Sequence, residues 1–384
     1  MRFIIIDRVK QQEFKFIDTM RIGILTFHCA HNYGAVLQCY ALQQAIKYLG
    51  HDVEVIDYRP NFLVKPYNII YLKRLRAKSP LHTIKKCLDE LLVLKKRIIR
   101  HNAFDSFINS KLILSERIKK FDKIPSKYDV YVMGSDQIWN PKITHGYDNA
   151  YFGNFNFTKG KRRYISYAAS MESSATDKRA EEELARLLKN LDAISVRESQ
   201  LADFLTRDLV SHVKVETVLD PTLIVDRQIW DKIAKSTLSD RRYVLIYQIR
   251  QDINTRRIAT ELARQLNATV VEITANFRAK GGTDILQCVS PEEFVGLIRD
   301  STCVVTTSFH ATSFSIIYNK PFYTLQLSDG NDSRAQSLLQ SLLLSDRMIN
   351  KESSPIFTDI DYKKIEVRIQ KLKKDALDFL STNI

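Results

Sequence analysis

The most constraining feature of this chain is residues 301–327, where a buried strand, a helix and a second strand follow one another. Residues 301–306 are rich in valine and threonine, which suits a packed strand. From Ala311 onward, apolar residues recur at helical spacing. Pro321 ends the helix, because proline lacks an N–H and clashes with the preceding turn, and residues 322–327 predict the next strand. This order is typical of a parallel α/β sheet.

His310 lies where the first of these strands ends and the helix begins. In open α/β sheets, ligands bind at the carboxyl ends of strands, and the free N–H groups at the start of a helix attract anions. An imidazole can give or take a proton near pH 7. His310 is therefore a candidate general acid or base, the alternative being a hydrogen-bonded structural histidine.

The same alternation runs through most of the chain and predicts two α/β layers. Strands predicted at residues 22–27 and 52–58 flank a helix at residues 35–49, without the GxGxxG fingerprint of a dinucleotide site. A second series of strands and helices follows a break in the pattern. We expect an N-terminal domain at residues 21–235 and a C-terminal domain at residues 236–384. The second domain ends in a basic amphipathic helix, either packed across both domains or exposed.

Two segments fall outside this alternation. Residues 1–20 precede the first strand of the main fold and are predicted to be an N-terminal extension, with a possible edge strand at residues 3–6. Residues from about 60 to 125 are predicted to be a basic, mostly helical insertion. A solvated helical face is the first interpretation of that charge, and contact with an anionic membrane surface is the second.

Composition narrows the class of protein and its partners. At 45% hydrophobic and 27% charged residues the chain is globular, and its apolar runs are too short to cross a bilayer. The net charge of +14 suits a nucleic acid, an anionic membrane or an anionic substrate, but no nucleic-acid module is present, so no nucleic-acid partner is expected. The five cysteines form no CxxC pair, which favours reduced thiols in a cytoplasmic protein. The HCxH sequence at residues 28–31 fits no zinc spacing, so no metal site is predicted.

Polar residues at other predicted strand ends extend the candidate site. Arg197 opens a helix after a buried strand, where it could clamp a carboxylate or phosphate in bidentate fashion or merely pair with Glu198. Loops in the first domain could bind sugar hydroxyls, although their residue types also favour turns, and Trp139 could be a stacking platform or a core residue. The first-domain candidates are Asn32, Tyr33, Gly34, Ser135, Asp136, Trp139 and Ser170. The second-domain candidates are Thr307, Ser308, Phe309, Gln248, Arg250 and Arg334, the last placed just before a helix at residues 335–344.

From about residue 21 to residue 347 the chain resembles the polysaccharide pyruvyl transferase family. Each of the motifs that carry the resemblance is weak alone, but all of them in this order are specific. They are NYGAVLQCYAL at 32–42, GSDQIW at 134–139, SYAAS at 166–170, SVRES at 195–199, LDPTLIV at 219–225 and SFHATSFSIIYNKPF at 308–322.

The resemblance implies two Rossmann-like domains that face a cleft, as in GT-B glycosyltransferases. It implies transfer of an enolpyruvyl-derived group from phosphoenolpyruvate to a sugar, which gives a pyruvate ketal and releases phosphate. Phosphoenolpyruvate would be a co-substrate, and no cofactor is expected. The resemblance makes His310 the general acid or base and Arg197 a contact for the donor's carboxylate or phosphate. We assign the second-domain candidates to the donor and the first-domain candidates to the acceptor.

One position departs from the family pattern. Some relatives carry an arginine two positions before the histidine, where this chain has Ser308. Another group must then hold an anionic donor. The candidates are Arg334, Arg250 and Lys320, together with the N-terminus of the helix that carries His310.

The leading hypothesis is a cytoplasmic pyruvyl transferase of exopolysaccharide biosynthesis in the bacterial cell envelope. Its acceptor would be a sugar or a lipid-linked oligosaccharide, and a lipid-linked acceptor would bring the basic surface to the inner face of the membrane. One alternative is a GT-B glycosyltransferase that uses a nucleotide sugar. The other is a non-catalytic glycan-binding or assembly protein.

Overall fold

The computed structural model describes residues 18–69, 80–172, 177–279, 284–328 and 332–384. These residues form two six-stranded parallel sheets, and helices cover both faces of each sheet. The predicted α/β fold with two Rossmann-like units is therefore confirmed. The predicted edge strand at residues 3–6, and nearly all of the predicted extension, lie outside the described residues.

The first sheet is built from the N-terminal half of the chain. Its strands are β1 Arg21–Leu25, β2 Asp52–Val55, β3 Val130–Asp136, β4 Arg163–Ala169, β5 Ala193–Val196 and β6 Val215–Thr217, in the spatial order β2-β1-β3-β4-β5-β6. The helices that accompany it are α1 Tyr33–Tyr48, α2 Asn61–Val64, α3 Pro80–Lys111, α4 Pro141–Thr144, α5 Lys178–Leu188, α6 Ser199–Phe204, α7 Pro221–Ile224 and α8 Arg227–Asp231.

The second sheet has the strand order β12-β11-β10-β7-β8-β9. Its strands are β7 Tyr243–Tyr247, β8 Thr269–Ile273, β9 Asp284–Leu286, β10 Cys303–Thr306, β11 Phe322–Gln326 and β12 Met348–Asn350. Its helices are α9 Ile253–Gln265, α10 Pro291–Asp300, α11 Phe309–Ile317, α12 Ser333–Ser341 and α13 Tyr362–Asn383. The sequence did not predict β9 and β12, because three residues are too few to show a periodic pattern.

Strand order reverses once in each sheet, and the two reversals mark the same cleft. In the first sheet the reversal lies between β1 and β3, and in the second between β7 and β10. Ligands of open α/β sheets bind at such switch points, outside the carboxyl ends of the strands. Helices α1 and α11 begin just beyond β1 and β10, so both N-termini point into this region.

The two units share one apolar core. It runs between the sheets and includes Tyr33 of α1 and Phe294 of α10, whose rings stack with centroids 4.4 Å apart. The C-terminal helix α13 crosses back to the first unit, where Phe379 packs near Tyr167. Of the two predicted positions for this helix, packing across both units is therefore the correct one. Within the described ranges, no helix combines the length and apolar composition that crossing a membrane requires.

Candidate active site

Asp220 is the residue on which the site's polar groups converge. It precedes α7, and its side chain is fully buried. Its Oδ1 accepts hydrogen bonds from the N–H of Thr222 at 3.0 Å and from the Thr222 hydroxyl at 2.7 Å. Its Oδ2 accepts from Arg197 Nη1 at 2.8 Å and from the Ser135 hydroxyl at 3.3 Å, and lies 3.7 Å from His310 Nε2. A single carboxylate thus gathers residues from three segments of the chain.

Asp220 was not among the predicted site residues. In the sequence it precedes a proline and a threonine, which is the pattern of an ordinary helix start. The structure shows that one carboxylate oxygen does cap α7, while the other serves the site. Only the family motif at residues 219–225 carried a signal for this second role.

His310 is held at the start of α11, between the two units. Ser308 caps this helix by accepting a hydrogen bond from the N–H of Ala311 at 3.4 Å. The imidazole is 6% exposed, and among the described residues its Nε2 has no hydrogen-bond partner, only the longer contact with Asp220. On its other side the ring packs against Gly34, where a β-carbon would lie 2.0 Å from His310 Nδ1. Glycine at position 34 is therefore required by the close approach of the ring.

The charges around Asp220 favour its ionised form. Burial alone would raise the pKa of this carboxyl group, but His310 and Arg197 outweigh burial and hold the pKa well below its ordinary value. The carboxylate is therefore ionised at neutral pH and can stabilise positive charge on the imidazole.

Arg197 is buried, and part of its hydrogen-bonding capacity is unused. Besides the bond to Asp220, its Nη2 lies 3.7 Å from Asp136 Oδ1 and its Nε lies 3.8 Å from Glu198 Oε1. The guanidinium carbon sits 4.6 Å from the centre of the Phe309 ring. Within the described part of the chain, neither Nε nor Nη2 has a hydrogen-bond partner. These are the donors that a bidentate anion would use.

Glu198 is a second acidic group that sequence reasoning underrated, because it was considered only as a possible partner of Arg197. The Ser170 hydroxyl donates a hydrogen bond to Glu198 Oε1, while the buried Oε2 has no such bond from any described residue. Burial raises the pKa of Glu198, although Arg197 and Ser170 act in the opposite direction. A carboxyl group in this environment binds a proton more readily than an exposed glutamate.

A cavity of about 190 Å³ lies beside these groups, at the carboxyl edge of the second sheet. Thr307, Phe309, Arg250 and Arg334 contribute to its lining, and Gln137 reaches it from the first unit. Predicted donor-side residues from three segments therefore meet at one cavity.

The two arginines of this cavity differ in their partners. Arg250 Nη2 donates a hydrogen bond to Asp332 Oδ1 at 2.7 Å. Arg334 makes no hydrogen bond or ion pair with its side chain among the described residues, although Glu198 and Asp136 are near enough to influence its pKa. Burial, and then the positive charge of Arg197, lower that pKa, but an arginine starts from so high a value that it remains charged.

Arg334 lies within the first turn of α12, not before the helix as predicted. The reason is that Asp332 is the residue at the N-cap, and its carboxylate accepts from the N–H groups of Leu327 and Ser328 instead of capping α12.

Two other predicted donor-side residues make side-chain hydrogen bonds with the backbone. The Thr307 hydroxyl donates to the carbonyl of Arg250 at 2.9 Å, and Gln248 Oε1 accepts from the N–H of Asp252 at 2.8 Å. Ser308 acts as the helix cap described above. Lys320 follows the far end of α11, and the helix between His310 and that end is about 10 Å long. The structure therefore does not bring Lys320 to the site.

The first-unit candidates separate into two groups. Gly34, Asp136 and Ser170 lie around His310, Arg197 and Glu198, as described. Ser135 is fully buried and directs its hydroxyl to the carbonyl of Ala168 and to Asp220. It therefore helps to position the Asp220 carboxylate. Asn32 caps α1 by accepting from the N–H of Ala35 at 3.3 Å.

Trp139 and Tyr33 occupy positions that do not fit the predicted contact with an acceptor sugar. Trp139 is fully buried in the first unit, where it stacks on Phe152 and donates its indole N–H to the carbonyl of Tyr151. Tyr33 is fully buried between the units, and its hydroxyl donates to the carbonyl of Val289 at 2.8 Å. Burying these large aromatic rings in the core is more favourable than exposing them to a sugar, although both residues lie among polar residues in the sequence.

Comparison with known proteins identifies the family. The model of the family described as polysaccharide pyruvyl transferase matches residues 32–329, most of the chain. The chain belongs to this family. Every motif singled out in the sequence lies within or at the edge of the matched region, and membership makes the protein a transferase with a polysaccharide-related acceptor. A comparison with curated proteins finds no match.

Three solved structures illustrate the proteins whose chains follow a similar course. UDP-N-acetylglucosamine 2-epimerase from Rickettsia bellii has 12% identity and a TM-score of 0.41, over 96% of this chain and 99% of that chain. Arabidopsis thaliana UGT89C1, complexed with quercetin, has 12% identity and a TM-score of 0.46, over 95% and 99%. The glycosyltransferase SnogD from Streptomyces nogalater has 9% identity and a TM-score of 0.42, over 95% and 96%. Likeness at this level carries no information about the reaction.

In this member of the polysaccharide pyruvyl transferase family, the geometry offers two chemical capabilities next to each other. The first is a histidine backed by a buried carboxylate, which can transfer a proton. The second is a small cavity with an arginine that has no counter-ion among the described residues, which can hold an anion.

Proposed function

We propose that this transferase moves the enolpyruvyl-derived group of phosphoenolpyruvate onto a sugar of a cell-surface polysaccharide precursor and releases phosphate. The observation that carries the proposal is Arg334, which has no ion pair among the described residues and lines a cavity of about 190 Å³ within reach of the charges of Arg197 and Glu198.

The environment of Arg334 supports an anionic donor. Asp332 pairs with Arg250, and Arg197 pairs with Asp220 and lies within 3.8 Å of Asp136 and Glu198. Arg334 is half-buried and forms no ion pair among the described residues, and a half-buried unpaired charge is costly. A ligand that carries a carboxylate and a phosphate would remove that cost. The free N–H groups at the start of α11, beside Phe309, add to the attraction.

The size of the cavity supports a small donor. Sites for drug-sized ligands, a class that includes nucleotides, measure about 300–1,000 Å³. A cavity of about 190 Å³ is better suited to a three-carbon phosphate ester. This comparison favours phosphoenolpyruvate over a nucleotide sugar.

The proposed reaction begins at the methylene carbon of phosphoenolpyruvate, which takes up a proton and becomes a methyl group. The neighbouring carbon then bonds to the oxygen of one sugar hydroxyl, and its bond to the phosphate oxygen breaks. A second hydroxyl of the same sugar adds to this carbon and closes the ketal. The two hydroxyls release two protons, of which one balances the proton gained by carbon and the other leaves with phosphate.

His310 would transfer protons in this sequence, and Asp220 would stabilise its charged form. The imidazole Nε2 lies 3.7 Å from the ionised carboxylate of Asp220, so a proton carried by this nitrogen would lie next to a negative charge. Arg197, with two unused donors, would hold the donor's carboxylate or phosphate.

The direct test is to incubate the protein with phosphoenolpyruvate and a panel of free, nucleotide-linked and lipid-linked sugars, and to measure phosphate release. In D₂O, the methyl group of the product should carry one deuterium, detected by mass spectrometry. The variant His310→Ala should lose roughly 10²-fold or more of the rate. A protein that binds UDP or GDP, but releases no phosphate from phosphoenolpyruvate with any acceptor, would instead be a nucleotide-sugar glycosyltransferase.

We also propose that the acceptor is lipid-linked and that the basic stretch around residues 60–125 brings the protein to an anionic membrane surface. Attraction of this kind weakens with salt, because ions screen exposed charges. Co-sedimentation with vesicles should therefore need anionic lipid and should fall between 0.05 and about 0.5 M salt. Equal binding to neutral vesicles would contradict the proposal.

A further inference from the structure

Two histidines and an aspartate meet at the edge of the cleft, although the sequence separates them widely. His31 lies in the loop between β1 and α1, while His101 and Asp105 lie one turn apart on α3. His31 Nε2 is 3.1 Å from Asp105 Oδ1, and His101 Nδ1 is 3.4 Å from Asp105 Oδ2. One ligand atom from each side chain lies within 4.8 Å of the other two. The spacing of the HCxH sequence could not predict this, since only His31 belongs to it.

Two of these separations are close to the edge length of a metal coordination polyhedron. Zinc binds imidazole nitrogen at about 2.0–2.1 Å and carboxylate oxygen at about 2.0–2.2 Å. Ligand atoms of a tetrahedral ion are then roughly 3.3–3.5 Å apart. The contacts of 3.1 and 3.4 Å fall close to that range, each through a different oxygen of Asp105. The three ligand atoms lie within 4.8 Å of one another, so a bound ion would draw the side chains closer together.

A simple hydrogen-bonded triad does not account for all three side chains. His31 forms a hydrogen bond with Asp105, but the buried Nδ1 of His101 has no hydrogen-bond partner among the described residues. Its contact with Asp105 is close but not aligned for a hydrogen bond. An unpartnered ring nitrogen that faces a carboxylate and a second imidazole is what a metal ion would use.

The surroundings hold the two rings in place. His31 stacks on Phe104 with ring centroids 5.3 Å apart and meets His101 edge-on at 4.5 Å. Burial and the neighbouring His31 lower the pKa of His101, which favours the neutral ring that binds metals. The hydrogen bond from His31, opposed by burial, lowers the pKa of Asp105 and keeps it ionised. Arg59 is the nearby positive charge, and Asp57 compensates it.

We propose that His31, His101 and Asp105 bind a divalent transition-metal ion, with Zn²⁺ as the favoured ion. Two imidazoles and one carboxylate are a donor set of zinc sites that keep a coordination position open, and imidazole also suits Co²⁺ and Ni²⁺. Asp105 is 40% exposed, so solvent or a hydroxyl group can reach the remaining position.

The ion would fasten one wall of the cleft. His31 directly precedes Asn32, the cap of α1, and Gly34 on the first turn of this helix packs against His310. A metal bridge from His31 to α3 would therefore restrain the surface on which the imidazole rests. The site rests on its own geometry and does not depend on which donor the transferase uses.

The test measures metal binding and needs no activity. The full chain is freed of metal with a chelator and titrated with Zn²⁺ against a chromophoric competitor, for the wild type and for Asp105→Asn and His101→Gln. The matched control is His212→Gln, which replaces an exposed histidine that bonds to the carbonyl of Leu191 in the first unit. We expect one Zn²⁺ per chain, weakened in both site variants by more than the roughly 10–100-fold that loss of an outer partner costs. The control should bind as the wild type does.

A second measurement covers variants that fail to fold. Zinc-edge X-ray absorption of the loaded wild type should report two imidazole ligands. The proposal is overturned if the wild type binds less than a stoichiometric amount, if Asp105→Asn and His101→Gln bind as tightly as His212→Gln, or if the absorption spectrum shows sulfur ligands or fewer than two imidazoles.

Discussion

The contact between Gly34 and His310 offers a sharp test of the site, because it joins the two units at the proposed acid or base. The substitution Gly34→Ala adds a single methyl group, which would lie 2.0 Å from His310 Nδ1, 2.5 Å from Cε1 and 2.6 Å from Cγ. Ordinary contact needs about 3.5 Å, so the ring must move by roughly 1.5 Å. Asp220, on the other side of the ring, limits that movement.

Two opposing energies determine how much Gly34→Ala changes the free energy of unfolding. Alanine in a helix is better than glycine by up to about 1 kcal/mol, whereas overpacking in a filled interior costs about 1–3 kcal/mol. We expect Gly34→Ala to lower the free energy of unfolding by about 0–2 kcal/mol. Activity should suffer more, because a displacement of about 1 Å at a reacting group can cost roughly 10²-fold.

The matched control is the same substitution in the His310→Ala background, where no ring remains to clash. There, Gly34→Ala should stabilise the protein slightly and leave the residual rate unchanged. Urea denaturation and phosphate-release assays on the four proteins give the coupling free energy, expected at about 1–3 kcal/mol. A Gly34→Ala effect on stability that is the same in both backgrounds would refute the packing argument. An unchanged rate in the single variant would refute the role of the ring's position.

Three further variants test the charges and the interface. Arg334→Ala should raise KM for phosphoenolpyruvate by about 10–100-fold, because it removes one charged hydrogen bond worth about 1.5–3 kcal/mol. Lys320→Ala, at the far end of α11, should leave KM unchanged. Equal effects of the two substitutions would contradict the assignment of Arg334 to the donor. Because the pKa of Asp220 is lower in the folded than in the unfolded state, its ionised form stabilises the fold at neutral pH, and this contribution is lost as the pH falls below about 4. Asp220→Asn should therefore be less stable than the wild type at pH 7, and in urea titrations it should lose less stability between pH 7 and pH 2. An equal loss in the two proteins would show that Asp220 is not responsible for the loss of stability in acid. Tyr33→Phe removes the hydrogen bond that the hydroxyl donates to the carbonyl of Val289 and the one that it accepts from Arg100, and should cost about 1–3 kcal/mol of unfolding free energy. A variant as stable as the wild type would show that this hydroxyl does not hold the units together.

The strands and helices were predictable because each has a local period. The strand, helix and strand of residues 301–327 appear in the structure as β10, α11 and β11, with shifts of a few residues. Helix α11 starts two residues early, at Phe309 and not at Ala311, since Ser308 is its cap. A serine next to a threonine is equally compatible with a turn and with a helix cap, and only the tertiary structure determines which of the two forms.

The arrangement of the site was less predictable, because its contacts are long-range. The sequence indicated that His310 and Arg197 each follow a buried strand, one in each domain, but not that the carboxylate of Asp220 faces both. Nothing local shows that Gly34 must be a glycine on account of a histidine in the other half of the chain. The rule that polar strand ends bind ligands likewise misplaced Trp139, because its large ring is worth more in the core.

Ser308 illustrates how helix capping and anion binding are assigned to two different helices, α11 and α12. Its hydroxyl accepts the hydrogen bond that begins α11 and so fixes His310 on the first turn. An arginine has no acceptor atom and cannot cap a helix in this way. With position 308 given to the cap, positive charge for an anionic donor has to come from another element, and Arg334 on the first turn of α12 lines the adjoining cavity. The departure at Ser308 is therefore accompanied by a positive charge on the neighbouring helix, and the site combines a positioned imidazole with Arg334, the arginine that we propose binds the donor.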